Sequence, residues 1–195
     1  MSTELSRYGA QYTAERALFS FMGQEFRIRG PEGNVRFFVK QKAMRLKEEI
    51  NVWGDEKQGT KMLGIKARGI GDFSGTYDVT DAASGEKVGA LKREGLKSII
   101  RDEWTIFDQG GAPIGKIIED SGALAFLRRL LPIIPQTFAI RIGETAVGMI
   151  KQRFSLFRLV YDVDFSSAPA GSLDPRLGVA GVVLLLAIEG RQDQK

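Results

Sequence analysis

A repeated hairpin pattern constrains the fold of this chain more than any other feature of the sequence. Each repeat has a run of aromatic or branched residues, a turn with Gly, Asn or Asp, and a second run in which an apolar residue often precedes Gly. Alternating apolar and polar residues are typical of strands with one buried face, and the turn residues supply the positive φ angles of tight turns. The predicted strand pairs are 26–28 with 35–39, 50–53 with 62–65, 77–80 with 88–91, 104–107 with 114–117, and 138–140 with 147–150.

The number of predicted strands favours a closed sheet. Two further strands are predicted near residues 17–21 and 157–165. Together with the hairpins they give about ten to twelve antiparallel strands, and an open sheet of that size is expected to curl, split or close. A barrel larger than about eight strands leaves a lumen that another element must fill.

An apolar run at residues 177–188 is the candidate for that element. Asp174 and Pro175 stand before it as a helix cap and a first helical residue. The run is apolar on every side, which is typical of a helix buried all round. It would span only about 18 Å, against about 30 Å of bilayer hydrocarbon, so we expect no transmembrane helix. The predicted core residues are Leu177, Val182, Leu184, Leu185 and Ile188.

The composition predicts one ordered domain and excludes much enzyme chemistry. The 195 residues include 28 Lys and Arg against 24 Asp and Glu, for a formal charge of +4, and include neither Cys nor His. Thiol nucleophiles, imidazole bases and the usual zinc ligands are therefore absent. We expect a flexible tail at 1–15, a single domain at 16–190 and a polar tail at 191–195. The first eleven residues show no signal peptide, which predicts a cytoplasmic protein.

Several segments resemble a known family. They are residues 18–28 (LFSFMGQEFRI), Arg153-Phe154, residues 157–164 (FRLVYDVD) and residues 173–177 (LDPRL). Over residues 16–190 the chain resembles the LURP-one-related family and the phospholipid scramblases, both of the tubby C-terminal-like superfamily. The resemblance implies a mainly β fold, a closed antiparallel barrel of about twelve strands around the C-terminal helix. The superfamily includes phosphoinositide-binding, scramblase-like and uncharacterised members. The fold alone does not decide which of these roles the chain has.

The resemblance to scramblases implies a calcium site just before the terminal helix. Asp162, Asp164 and Asp174 occupy similar places. Calcium takes six to eight oxygen ligands, and residues 165–173 add only serines and backbone carbonyls. The alternative is structural: Asp162 and Asp164 on the outward face of a strand, and Asp174 as a helix cap. We favour the structural alternative and expect no cofactor.

Basic residues supply the candidate ligand-binding surface. A short helix is predicted within residues 121–135, where Arg128 and Arg129 stand among leucines and Phe126. Such a segment suits an anionic bilayer surface, although it also suits a helix that closes one barrel mouth. Other basic residues recur at strand ends and would form an anion-binding rim if they meet, or a solvated surface if they do not. They include Lys40, Lys42, Lys92, Arg93, Lys151 and Arg153.

The sequence therefore predicts a non-enzymatic binding module. Its first predicted ligand is an anionic phospholipid or phosphoinositide headgroup, bound peripherally at a membrane. The alternative is a structural domain that recruits an unknown protein, which the mixed surface charge also favours. Nucleic-acid binding ranks third, because no large basic block is present.

Overall fold

The computed structural model describes residues 8–18, 23–41, 49–69, 75–94, 102–119 and 135–188. These residues form twelve strands followed by one helix. The strands are β1 Gln11–Ala17, β2 Gln24–Arg29, β3 Val35–Gln41, β4 Ile50–Trp53, β5 Lys61–Ala67, β6 Thr76–Asp81, β7 Lys87–Arg93, β8 Glu103–Phe107, β9 Pro113–Glu119, β10 Thr137–Ile142, β11 Thr145–Arg153 and β12 Arg158–Asp164, and the helix is α1 Pro175–Ile188.

The strands close into one antiparallel barrel, as predicted. Each strand pairs with its neighbours in sequence, and β1 pairs with β12 to complete the ring. The closing register runs from Gln11 opposite Asp164 to Ala17 opposite Arg158. Closure matters because each described strand then has a paired neighbour on both sides, and the sheet has no edge strand.

The repeated apolar–Gly pair of the sequence corresponds to a β-bulge. In each of the five predicted hairpins, one residue of the second strand is left out of the pairing register just after the turn. Bulges bend a strand and increase its twist, which helps a sheet to curl into a barrel. The bulged residues are Arg36, Met62, Val88, Ile114 and Val147, and the last three precede Gly.

Gly89 shows why glycine follows a bulge. A Cβ at this position would collide with the carbonyl oxygen of Phe107 and would lie 3.1 Å from Cδ2 of Leu177 in α1. The barrel wall and the helix therefore approach each other where one residue of the wall has no side chain.

The barrel has two mouths, which differ in their connections. We call the mouth with the five hairpin turns (β2–β3, β4–β5, β6–β7, β8–β9 and β10–β11) the turn mouth. The opposite end, which has the connections β1–β2, β3–β4, β5–β6, β7–β8, β9–β10 and β11–β12, is the loop mouth. Strand β12 ends at the turn mouth, so α1 enters the barrel there.

Helix α1 fills the lumen. Asp174 caps it, since its Oδ1 accepts a hydrogen bond of 2.9 Å from the backbone N–H of Arg176. Every residue from 177 to 188 is buried. Gly181 lies against the side chains of Leu91 and Ile117, and Gly178 lies against Phe165. The predicted helix residues Leu177, Val182, Leu184, Leu185 and Ile188 all belong to the core cluster, where full burial of such a side chain contributes about 1.5–3 kcal/mol.

The N-terminal boundary differs from the sequence prediction. The first strand is Gln11–Ala17, so the predicted tail at 1–15 includes much of β1, and the strand predicted near 17–21 begins earlier. The inward residues of β1 are Tyr12, Ala14 and Arg16. Only one of them is a large hydrophobic residue, so the strand alternation is hard to recognise in the sequence. Three of the predicted segments lie wholly or largely outside the described residues. They are residues 1–7 of the N-terminal tail, the helix predicted within 121–135, of which only Pro135 is described, and the tail 191–195.

Candidate functional site

The predicted cationic residues that the structure describes lie at the loop mouth. Lys40 stands one residue before the end of β3, and its Nζ is 3.4 Å from Oε1 of Glu25. Lys92 stands one residue before the end of β7, and its Nζ is 3.4 Å from Oε1 of Glu94. Both ammonium groups are therefore on the outside of the barrel, close to the same mouth.

Arg93 has a different environment from its neighbour Lys92. Its side chain is 8% exposed, and its Nη2 donates a hydrogen bond of 2.8 Å to Oδ1 of Asp102. The backbone N–H of Asp102 in turn donates to Oε2 of Glu119. The guanidinium of Arg93 thus braces the end of β7 against the start of β8, and little of it reaches solvent.

Three predicted basic residues lie outside the described part of the chain: Lys42, Arg128 and Arg129. Lys42 lies in the β3–β4 connection, between the described residues Gln41 and Glu49, and the two arginines lie in the β9–β10 connection, between Glu119 and Pro135. Both connections leave from the loop mouth.

The β11–β12 hairpin presents three exposed cations: Lys151 and Arg153, which belong to the strand-end basic residues predicted from the sequence, and Arg158, which does not. Arg153 ends β11 and Arg158 begins β12, and their side chains are 54% and 62% exposed. Lys151 is also exposed on β11 and makes no ion pair with a described residue. The connection between the two arginines is Phe154-Ser155-Leu156-Phe157, which we call the 154–157 tip.

Ion pairs hold the two arginines in place without burying them. Arg153 Nε is 3.1 Å from Oδ2 of Asp162, and Arg158 Nη1 is 3.0 Å from Oε2 of Glu15. Burial of Glu15 opposes its ionisation, but hydrogen bonds from Arg158 and Arg29 outweigh burial and lower its pKa. Exposed pairs of this kind contribute about 0–1 kcal/mol, so both guanidinium groups remain able to bind an external anion.

The three aspartates of the calcium hypothesis have separate partners. Asp162 pairs with Arg153, while Asp164 accepts hydrogen bonds from Gln11 Nε2 and from the backbone of Ser166. The contacts with Ser166 lower the pKa of Asp164. Asp174 caps α1 and pairs with Arg176 at 2.7 Å. Within the described ranges, the structure has no group of three acidic side chains placed to hold a metal ion.

An arginine clamp closes part of the turn mouth. Arg176 Nη1 is 3.0 Å from Oδ2 of Asp81 in the β6–β7 hairpin, and its Nη2 contacts Asp174. Burial alone would raise the pKa of Asp81. Hydrogen bonds from the backbone of Ser84 and Ala83 and from Arg176 outweigh burial, so the pKa of this carboxyl lies below its ordinary value. A cleft of about 240 Å³ lies beside this clamp. Its lining mixes Glu86, Asp108 and Asp174 with Lys87 and Arg176, so it favours no single class of ion.

The sequence model of one protein family, described as LURP-one-related, matches residues 35–186. This match covers well over half of the 195 residues. The chain belongs to the LURP-one-related family. The matched region of this LURP-one-related barrel runs from the start of β3 almost to the end of α1, and leaves β1 and β2 outside although they complete the ring. Neither a curated protein nor a solved structure matches the chain.

The 154–157 tip is the part of the LURP-one-related barrel that sequence reasoning missed. The composition of this connection could have identified it from the sequence. It contains no Gly, Asn, Asp or Pro, the residues that normally make turns, and three of its four residues are large and apolar. Apolar residues between two arginines in a connection suggest a surface role. One further finding concerns membranes: among the residues described, no helix has both the length and the apolar character needed to cross a bilayer.

Proposed function

We propose that this LURP-one-related barrel is a non-enzymatic module that binds anionic phospholipid headgroups with its loop mouth. The observation that carries the proposal is the β11–β12 hairpin, where Lys151, Arg153 and Arg158 lie exposed at one end of the barrel. Guanidinium groups suit phosphate oxygens because they donate parallel hydrogen bonds. Lys40 and Lys92 extend the basic surface along the same mouth.

The electrostatics of membrane binding fit this arrangement. Each Lys or Arg near an anionic bilayer surface contributes about 1 kcal/mol, so a few such side chains give salt-sensitive, reversible binding. The carboxylates that now face Arg153, Arg158 and Lys40 hold them only through exposed contacts. The proposed location is accordingly peripheral, at a cytoplasmic membrane surface. Arg128 and Arg129 remain part of the proposal as further cations of the β9–β10 connection.

Vesicle co-sedimentation of the full chain tests the proposal. Vesicles of phosphatidylcholine alone are compared with vesicles that also contain phosphatidylserine or a phosphoinositide, each at low and high salt. Wild-type protein is expected to pellet with the anionic vesicles at low salt and to be released at high salt. A Lys40→Gln/Lys151→Gln variant loses two loop-mouth charges and should bind about thirtyfold more weakly, since two charges correspond to about 2 kcal/mol.

A matched variant at the turn mouth separates a specific surface from net charge. Arg36→Gln/Lys57→Gln removes the same two charges near the β2–β3 and β4–β5 turns and should retain most of the binding. The Arg128→Glu/Arg129→Glu variant examines the pair predicted from sequence and should also weaken binding. Equal losses in the loop-mouth and turn-mouth variants would contradict the proposal. Absence of binding to every vesicle would also contradict it, and would favour the protein-interaction scaffold.

A further inference from the structure

The 154–157 tip places three large apolar side chains in water. Phe154, Leu156 and Phe157 are 60%, 66% and 72% exposed. In the part of the chain that the structure describes, the large hydrophobic residues with high exposure are these three and Met149. Three of the four thus lie in four consecutive residues at one point of the loop mouth.

The turn itself does not require these side chains. Hairpin connections are usually made of small or polar residues that tolerate the turn geometry, and apolar side chains gain nothing from exposure. The base of the tip is fixed: Arg153 pairs with Val160 in the β11–β12 register, and the carbonyl oxygen of Phe157 accepts a hydrogen bond of 3.0 Å from the backbone N–H of Leu18. The apolar side chains therefore stand on an anchored hairpin.

Charge complementarity identifies the partner of this surface. Lys151, Arg153 and Arg158 flank the apolar tip at its base. Cations behind an apolar tip match the order of groups in an anionic bilayer, where phosphates lie outside and acyl chains lie beneath. An element of this kind binds by entering the interface about 5–10 Å deep while its cations remain at the headgroups.

We propose that the 154–157 tip inserts into the interfacial region of an anionic phospholipid bilayer and anchors the barrel with its loop mouth facing the membrane. This inference rests on the proposed function and adds an apolar anchor to the electrostatic one. It follows that the release of the wild type needs more salt than electrostatic attraction alone would require. Each large apolar side chain transferred from water into the interface should strengthen binding on the order of tenfold.

A single-cysteine label measures insertion directly. The chain has no Cys, so Ser155→Cys gives a unique site for an environment-sensitive NBD fluorophore on the tip. Glu144→Cys in the β10–β11 turn gives the control at the opposite end of β11. With phosphatidylserine-containing vesicles, the label at 155 should shift to shorter wavelength and be quenched by lipids that carry nitroxide on the acyl chain. The label at 144 should change in neither respect.

Two serine variants give the second measurement. Phe157→Ser should lose on the order of tenfold in vesicle binding and should be released at lower salt than the wild type. Met149→Ser removes an exposed apolar side chain from the barrel wall, away from the tip, and should bind like the wild type.

The outcomes separate the anchor from the proposed function. If the labelled protein pellets with anionic vesicles but the label at 155 stays in water, or if Phe157→Ser binds as tightly as wild type, the anchor is wrong and electrostatic binding stands. If the wild type binds no vesicle, both proposals fail.

Discussion

At the scale of single residues, the Arg176 clamp connects the start of the core helix to the barrel wall. Arg176 contacts Asp174 on its own helix cap and Asp81 on the β6–β7 hairpin. The Asp81 carboxylate also accepts hydrogen bonds of 3.0 Å from the backbone N–H groups of Ala83 and Ser84. One carboxylate therefore shapes a turn and fixes the helix at the same time.

Asp81→Asn is expected to lower the free energy of unfolding by about 1–2 kcal/mol at pH 7. Asn still accepts the turn hydrogen bonds, but the charge-assisted bond from Arg176 is lost, and such bonds contribute about 1.5–3 kcal/mol. Urea unfolding measures the change. The matched control is Asp108→Asn in the β8–β9 turn, where the carboxylate accepts from the backbone of Ala112. The control should change stability by less than about 0.5 kcal/mol, and equal effects of the two variants would contradict the clamp.

The same contact predicts a pH dependence. The pKa of Asp81 is lower in the folded protein than its ordinary value, so the folded state binds the proton less tightly than the unfolded state. Its contribution to stability is complete above the ordinary aspartate pKa of about 3.9 and is lost as the pH falls through the lowered folded value. The stability difference between wild type and Asp81→Asn should accordingly shrink below about pH 4. A difference that stays constant down to pH 2 would show that ionisation of Asp81 does not contribute.

At the scale of elements, the hairpin with a bulge is the unit from which the barrel is built. Five hairpins repeat it, and the bulge lies next to the turn in every one. The hairpins were predictable because their apolar alternation and turn glycines are local signals. Three of the five bulges were visible in the sequence as apolar–Gly pairs, and none could be recognised as a bulge, since a register shift depends on the partner strand.

Two Gly→Ala substitutions test how tightly helix and wall fit. Gly89→Ala is expected to destabilise by more than about 2 kcal/mol, because the added Cβ meets the backbone oxygen of Phe107, which cannot move without disturbing the β7–β8 pairing. In Gly181→Ala the added Cβ would lie too close to one atom, the terminal Cδ1 of Ile117, at 2.7 Å, and that methyl group can rotate away. The gain in helix propensity, about 1 kcal/mol, offsets that adjustment. Urea unfolding that ranks Gly181→Ala as the more damaging change would contradict this packing.

The loop mouth shows the limit of prediction at this scale. Sequence reasoning placed both Lys92 and Arg93 among the anion-binding candidates because both stand at a predicted strand end. Opposite sides of a strand have different neighbours, and the structure gives Arg93 a buried partner in Asp102 while Lys92 stays outside. The 154–157 tip was missed for the opposite reason: its apolar residues read as a continuation of the neighbouring strands.

At the scale of the whole molecule, the sequence was sufficient to predict a closed barrel around a helix. Strand number and an apolar run of the right length implied a filled lumen, and the resemblance to the LURP-one-related family agreed. The identity of the closing strand was less accessible, because β1 faces the core with Tyr12, Ala14 and Arg16. The end of the barrel that faces a partner depends on which residues lie together at the same mouth. The strand topology of the structure, and not the sequence pattern, shows which residues these are.

Hydrogen–deuterium exchange of the wild-type protein with and without anionic vesicles tests this orientation most directly. If the loop mouth faces the membrane, amides in and around residues 153–158 become protected when phosphatidylserine-containing vesicles are added. Amides in the turns at 31–34 and 109–112, at the turn mouth, should exchange at unchanged rates, and neutral vesicles should change neither set. Protection at the turn mouth, or equal protection at both ends of the barrel, would contradict the account.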